Sequence, residues 1–152
     1  MKSKIKIIPG GQLPVKQDPR DACHDMYARQ ITEIQPGLVE VRLGVAIQPP
    51  GGYRIAIYPR SSISRSGWQL ANSVGIVDNN YRGEILAVFS AKPMALDECG
   101  LDTFLYPDFP YQVQDRVCQM ELVTYGSTDW EVVDQLDDTR RGEGGFGSTG
   151  NQ

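Results

Sequence analysis

The chain has 152 residues, enough for a single domain of the common size of roughly 100–150 residues. With 40% hydrophobic and 22% charged residues it belongs with globular rather than disordered chains, and it has no apolar span of about 20 residues to make a membrane helix. A formal charge of −4 gives no support to a protein that grips a nucleic-acid backbone, yet it leaves room for a few arginines around one nucleotide.

Met1 to Lys6 alternates polar and apolar residues and lacks a signal-peptide core. Cys23, Cys99 and Cys118 are odd in number, far apart and accompanied by one His, which argues against a disulfide framework and against a zinc site. A reducing cytoplasm, or a host cytoplasm for a viral protein, is the expected home.

Residues 4–8 alternate and predict a first strand, ended by Pro9-Gly10-Gly11. Residues 12–37 read as turn-rich. Val39, Val41, Leu43, Val45 and Ile47 share one face of a strong strand, and Pro49 to Gly52 turns the chain into another at Tyr53–Tyr58. Ser62–Gln69 has room for a short helix, limited by Gly67. Glu84–Ala91 is apolar on both faces and reads as an interior strand. Residues 92–114 carry Pro93, Pro107 and Pro110 and suggest two edge strands, near Thr103–Tyr106 and Tyr111–Val113. Arg116–Val123 and Trp130–Val133 are the last expected strands. Short strands with turn signals between them and no long helix predict an all-β sandwich or barrel. From residue 139 onward the chain is glycine-rich, so residues 1–138 are the expected β domain and 139–152 a flexible arm.

The stretch from Asn72 to Glu84 is the most informative. Apolar residues flank Asn79-Asn80, a pair that tolerates positive φ and suits a two-residue hairpin turn. Such a turn sets Asp78 and Tyr81 at its mouth, a carboxylate and a ring beside one backbone, suited to a small planar ligand or simply to a capped surface turn. Arg60-Ser61-Ser62 offers a guanidinium fork and two hydroxyls that match phosphate oxygens, or else a capping serine pair. The arm combines glycines, which let backbone N–H groups approach an anion, with Arg141, Ser148 and Thr149 as donors to it and Phe146 as a ring able to stack on a base, or it is a plain linker. Gln119 shares a strand face with Val117, as a core amide or a ligand contact. Asp25, beside His24, is a cap or faces a hydrated metal.

In their order along the chain these blocks resemble the five motifs of the trimeric dUTP pyrophosphatases (dUTPases). Residues 22–28, 59–64, 75–84, 115–120 and 141–150 carry the likeness, and the tail Arg-Gly-Glu-Gly-Gly-Phe-Gly-Ser-Thr-Gly is its most specific part. The resemblance implies a distorted jelly-roll-like β-barrel and Mg²⁺-dependent hydrolysis of dUTP to dUMP and pyrophosphate. It implies that Asp78 activates the attacking water, that Tyr81 packs under the deoxyribose, and that Asn72, Gly75, Ile76 and Val77 surround the uracil, with Phe146 covering it. It further implies that Arg60, Ser61, Ser62, Gln119, Arg141, Gly147, Ser148 and Thr149 hold the phosphates, and that Asp25 touches Mg²⁺ through water. A homotrimer with shared active sites and no nucleic-acid or membrane partner completes the expectation.

Two positions depart from the family pattern. Cys23 and Gln114 stand where it has glycine, and both disfavour positive φ. The 92–114 connection is also longer than the family pattern. Two other readings remain: a dCTP deaminase-like enzyme, which would need a Glu where Val88 stands, and a regulatory trimer that binds a protein partner while retaining the nucleotide.

Overall fold

In this computed structural model, which describes residues 2–94 and 105–144, the strands in chain order are β1 (Lys4–Ile7), β2 (His24–Tyr27), β3 (Gln30–Gln35), β4 (Leu38–Arg42), β5 (Val45–Gln48), β6 (Tyr53–Pro59), β7 (Trp68–Leu70), β8 (Gly75–Val77), β9 (Leu86–Ala91) and β10 (Arg116–Thr124). A 3₁₀ turn covers Ser61–Arg65. Two four-stranded antiparallel sheets, ordered β2-β10-β6-β8 and β3-β4-β9-β7, face each other, and β1 pairs with β5 beside them. The all-β expectation holds. Between the sheets lie Met26, Val41, Leu43, Val45, Ile55, Ile57, Phe89 and Val117, all essentially without solvent contact.

The alternation of Val39, Val41, Leu43, Val45 and Ile47 is real, because all five are buried, but it belongs to two strands. The break is Gly44, at φ 69°, a left-handed value that a side chain resists. There β4 leaves the second sheet and β5 turns to meet β1. Gly11 packs against this corner so closely that a Cβ on either glycine would overlap the other's backbone. The corner is held on both sides, since the Ile8 N–H donates to the Gly44 carbonyl at 2.8 Å and the Gly44 N–H donates to Glu84 Oε1 at 3.0 Å. Ile85 bridges it, giving its N–H to the Val45 carbonyl and accepting from the Leu43 N–H.

Several sequence expectations need correction. The turn-rich stretch 12–37 contains β2 and β3, polar strands made by pairing with β10 and β4 rather than by local hydrophobic pattern. Asn79-Asn80 does form a turn, with the Tyr81 N–H donating to the Asp78 carbonyl at 3.1 Å. It is not a hairpin. β8 pairs with β6 and β9 pairs with β4 and β7, so the turn carries the chain from one sheet to the other. Neither Asn takes positive φ, which among the described non-glycine residues belongs to Ser73 and Gln114.

Of the two edge strands expected in 92–114, Thr103 and Phe104 lie outside the described residues. Leu105 makes a single bridge to Met94, and Tyr111–Val113 is not a strand. Aromatic packing holds that segment instead: the Phe109 ring meets Trp68 edge-on at 5.0 Å and Phe89 at 5.4 Å, and the Trp68 indole N–H donates to the Pro107 carbonyl at 2.9 Å. Trp130–Val133 is not a strand either. It has no partner strand among the described residues, and Trp130 and Val132 stand 88% and 97% exposed.

Because Gly44 combines a left-handed backbone with contact to Gly11, Gly44→Ala should cost about 2–4 kcal/mol. Thermal unfolding should show a Tm lower by roughly 5–15 °C. A Tm within about 2 °C of the parent would mean that the corner relaxes freely.

Candidate functional site

The turn at Asp78 is pinned before any ligand arrives. Asn79 Nδ2 donates to the Pro50 carbonyl at 2.7 Å and to the Tyr53 carbonyl at 2.8 Å, which fixes the turn to the loop between β5 and β6. Tyr81 Oη donates to the Glu84 carbonyl at 3.0 Å, and the ring folds over Gly83, where a Cβ would collide with it. Ile76, Val77, Asp78, Tyr81, Ile85 and Leu86 line one concavity. Its walls are apolar and aromatic with one exposed carboxylate at the rim. At its back, a Cβ on Gly75 would lie 3.0 Å from Ile57 Cβ and 3.6 Å from Asn72 Nδ2, so Asn72 sits close over the Gly75 backbone. The arrangement suits a flat ring set beside a carboxylate.

Glu84 anchors this turn from below. Its carboxylate receives Arg29 Nε at 2.8 Å, Arg29 Nη2 at 3.0 Å, Arg42 Nη1 at 3.2 Å and the Gly44 N–H. The hydrogen bonds from Arg29 are the main reason its carboxyl titrates below the usual range, against an opposing effect of burial. The sequence reading did not single out Glu84, Arg29 or Arg42. A signal existed in Glu84, a lone carboxylate wedged between Gly83 and the apolar run from Ile85 to Phe89.

A second cluster sits where β2, β10 and β6 adjoin. Arg60 follows β6, and Ser61 and Ser62 are exposed at the head of the 3₁₀ turn. Gln119 on β10 stands opposite both Asp25 and Tyr58, and its Nε2 donates to the Pro59 carbonyl at 3.1 Å. Asp25 accepts Arg116 Nη1 at 3.0 Å and lies 3.5 Å from Arg60 Nε, while Arg60 Nη1 donates to the Arg116 carbonyl at 3.1 Å. Asp25 is thus foremost the holder of two arginines, and Arg116 is a member that the sequence reading missed although it lies in the fourth block. Among the described residues no three His, Cys, Asp or Glu could jointly hold a metal. Each Asp25 oxygen already faces a guanidinium, so a hydrated Mg²⁺ near this carboxylate would take its direct ligands from elsewhere.

Of the two glycine-replacing residues, Gln114 adopts φ 76° after all. Its N–H donates to the Ala28 carbonyl at 2.7 Å, its Nε2 donates to the Gly10 carbonyl at 3.1 Å, and its side-chain oxygen accepts from Gln12 Nε2. Side-chain bonding therefore offsets the backbone cost. Cys23 has no positive φ, and burial raises the pKa of its thiol.

The two clusters remain apart in one chain, since none of Asp25, Arg60, Ser61, Ser62 or Gln119 lines the concavity beside Asp78. Arg141 is exposed, with Nε donating to the Gly144 carbonyl at 2.8 Å. Phe146, Gly147, Ser148 and Thr149 lie outside the described residues.

A family model for dUTPase matches residues 10–95. A deoxyuridine 5'-triphosphate nucleotidohydrolase of Anaplasma marginale is 35% identical, covering 97% of this chain and 98% of its own, and one of Helicobacter pylori is 35% identical over 99% and 97%. Among solved structures, the dUTPase of Staphylococcus bacteriophage 80alpha with dUPNHPP superposes with a TM-score of 0.79 at 19% identity, covering 99% of both chains. A variant dUTPase from phage phi11 of S. aureus, which coordinates a structural Mg(II) ion, superposes at 0.69 with 16% identity, covering 90% of this chain and 99% of its own.

Glu84 also sets a pH dependence. Its pKa in the folded chain is depressed, so its stabilisation is complete above the unfolded value of about 4.3 and is lost as pH falls through the folded value. Glu84→Gln should cost roughly 2–4 kcal/mol at pH 7, because two guanidiniums lose their partner. The Tm gap between parent and variant should narrow as pH is lowered below the unfolded value. A gap independent of pH would mean that the ionised carboxylate is not what the arginines hold.

Proposed function

The chain belongs to the dUTPase family, and on that premise we propose that it hydrolyses dUTP to dUMP and pyrophosphate. The observation that carries the reading is the concavity beside Asp78, where an apolar slot, a fixed ring and a free carboxylate meet on one turn. Uracil enters the slot with its edges toward the backbone of residues 75–81, Asn72 lies behind it, and Ile76 and Val77 form the wall. Tyr81 packs under the deoxyribose and leaves no space for a 2′-hydroxyl.

Asp78 orients a water and takes its proton as the oxygen attacks the α-phosphorus. The bond from that phosphorus to the bridging oxygen breaks, and pyrophosphate leaves. A carboxylate of unperturbed pKa about 3.9 is a weak base, so positioning supplies much of the rate. Arg60, Ser61, Ser62 and Gln119 hold phosphate oxygens, with Asp25 keeping Arg60 in place. Mg²⁺, when bound to the triphosphate with Asp25 touching it through water, would neutralise charge on the phosphates. In the arm, Arg141, Gly147, Ser148 and Thr149 close on the outer phosphates and Phe146 covers the base.

The distance in chain architecture between the Asp78 concavity and the Arg60 cluster supports a homotrimer in which each site draws on more than one copy. The arm, residues 139–152, acts as a separate functional unit beside the 1–138 domain. Among the described residues no helix is long and apolar enough to cross a membrane. Deamination of dCTP is disfavoured by Val88, which puts an apolar side chain where that chemistry would need a carboxylate.

Pyrophosphate release measured across dUTP, dTTP, dCTP and UTP with Mg²⁺ should be fastest by far with dUTP. Asp78→Asn should lower kcat by at least about 10²-fold while leaving nucleotide binding intact. Turnover surviving that change would remove Asp78 from its role. Deleting residues 139–152 should abolish most activity with a Tm shift under about 2 °C, since the described part of the arm is exposed and buries little. A large fall in Tm would make the arm part of the fold instead.

A further inference from the structure

Five arginines are half-buried: Arg29, Arg42, Arg54, Arg60 and Arg116. Four of them meet a carboxylate, Arg29 and Arg42 on Glu84, and Arg60 and Arg116 on Asp25. Arg54 does not. It forms no ion pair among the described residues, and its Nη1 is shut off from solvent with no acceptor. A buried guanidinium N–H left unpaired carries a desolvation cost, and such groups persist where something else supplies the acceptor.

The ladder places this arginine beside the reactive carboxylate. β6 and β8 pair as Ile57 with Gly75, Ala56 with Ile76 and Ile55 with Val77. One step further along the same register puts Arg54 opposite Asp78, on the same side of the sheet. Arg54, Asp78, Asn79, Asn80 and Tyr125 line a polar concavity that has Asp78 alone in common with the apolar slot. Asp78 therefore stands between a surface suited to a nucleoside and a surface suited to an anion. The two charges share this concavity without forming an ion pair, which leaves the carboxylate available to water and the part of the guanidinium that lines the concavity, as distinct from the enclosed Nη1, available to a ligand.

We propose that Arg54 binds a phosphate group of the nucleotide held at Asp78, a contact separate from the Arg60 cluster. The inference rests on the nucleotide reading above. The guanidinium fork supplies parallel N–H donors that phosphate oxygens match, and neighbouring Asn80 and Tyr125 add polar atoms at the rim.

Calorimetric titration of the full chain with an imido analogue of dUTP, with dUMP and with deoxyuridine tests this. Arg54→Gln should weaken the triphosphate analogue by about 10- to 100-fold and leave deoxyuridine within about twofold. Arg54→Lys keeps the charge without the fork and should fall between the two, which preserves the test if the Gln variant folds poorly. Analogue binding within twofold of the parent in both variants would overturn the proposal. So would an equal loss for deoxyuridine, or a changed oligomeric mass, because Arg54 would then serve the fold or a neighbouring copy. If the parent protein binds neither the analogue nor deoxyuridine, the nucleotide reading itself fails, which differs from an Arg54 variant that binds normally.

Discussion

One carboxylate joins the parts of this molecule that matter. Glu84 receives two guanidiniums and the N–H of Gly44, and it sits one residue from Ile85, which spans the same corner from the other direction. Gly44 is where the chain leaves the β3-β4-β9-β7 sheet for β5, and Glu84 ends the segment that carries it from β8 into β9 of that sheet. These two passages are tied by an ionised hydrogen-bonded group rather than by apolar packing alone. Tyr81 depends on the same point, because its hydroxyl bonds the Glu84 carbonyl and its ring lies on Gly83. A corner of the barrel and a wall of the site are the same few residues.

The charges are divided by task. Glu84 and Asp25 each collect two arginines, and each group fixes a backbone region: Glu84 the corner and the turn at Tyr81, Asp25 the junction of β2, β10 and β6. With Arg60 held by Asp25 and by the Arg116 carbonyl, its orientation is set within the fold itself. Asp78 and Arg54 take part in no ion pair among the described residues. They lie together at the place where the two concavities meet.

Alternation in the strongest strands made the core legible in the sequence. Every inward position from Val39 to Ile47 is buried, and Tyr53–Tyr58, Glu84–Ala91 and Arg116–Val123 fall on β6, β9 and β10 within a few residues. Strands whose existence depends on a partner were not legible. β2 and β3 are polar and exist through their pairing with β10 and β4, and Trp130–Val133 has the composition of a strand without a partner among the described residues. The turn at Asn79-Asn80 was legible as a turn but not as a crossing, because turn chemistry is local and strand assignment is not. Asp78, Tyr81, Arg60 and Gln119 stood out as chemistry. Glu84, Arg29, Arg42, Arg116 and Arg54 did not, because a charge on an apolar strand looks like surface until its partner from a distant part of the chain is known.

The Glu84 clamp also bears on how the chain folds. Its bonds close loops of 55 residues to Arg29, 42 to Arg42 and 40 to Gly44. None of them can form until β4 and β9 have paired within their sheet, since a charge gains little from its partner while each is still hydrated. Such contacts fall late in the search, after the entropic barrier of closing those loops has been crossed. A lock of that kind does little to hurry folding. What it governs is how long the finished structure lasts once made.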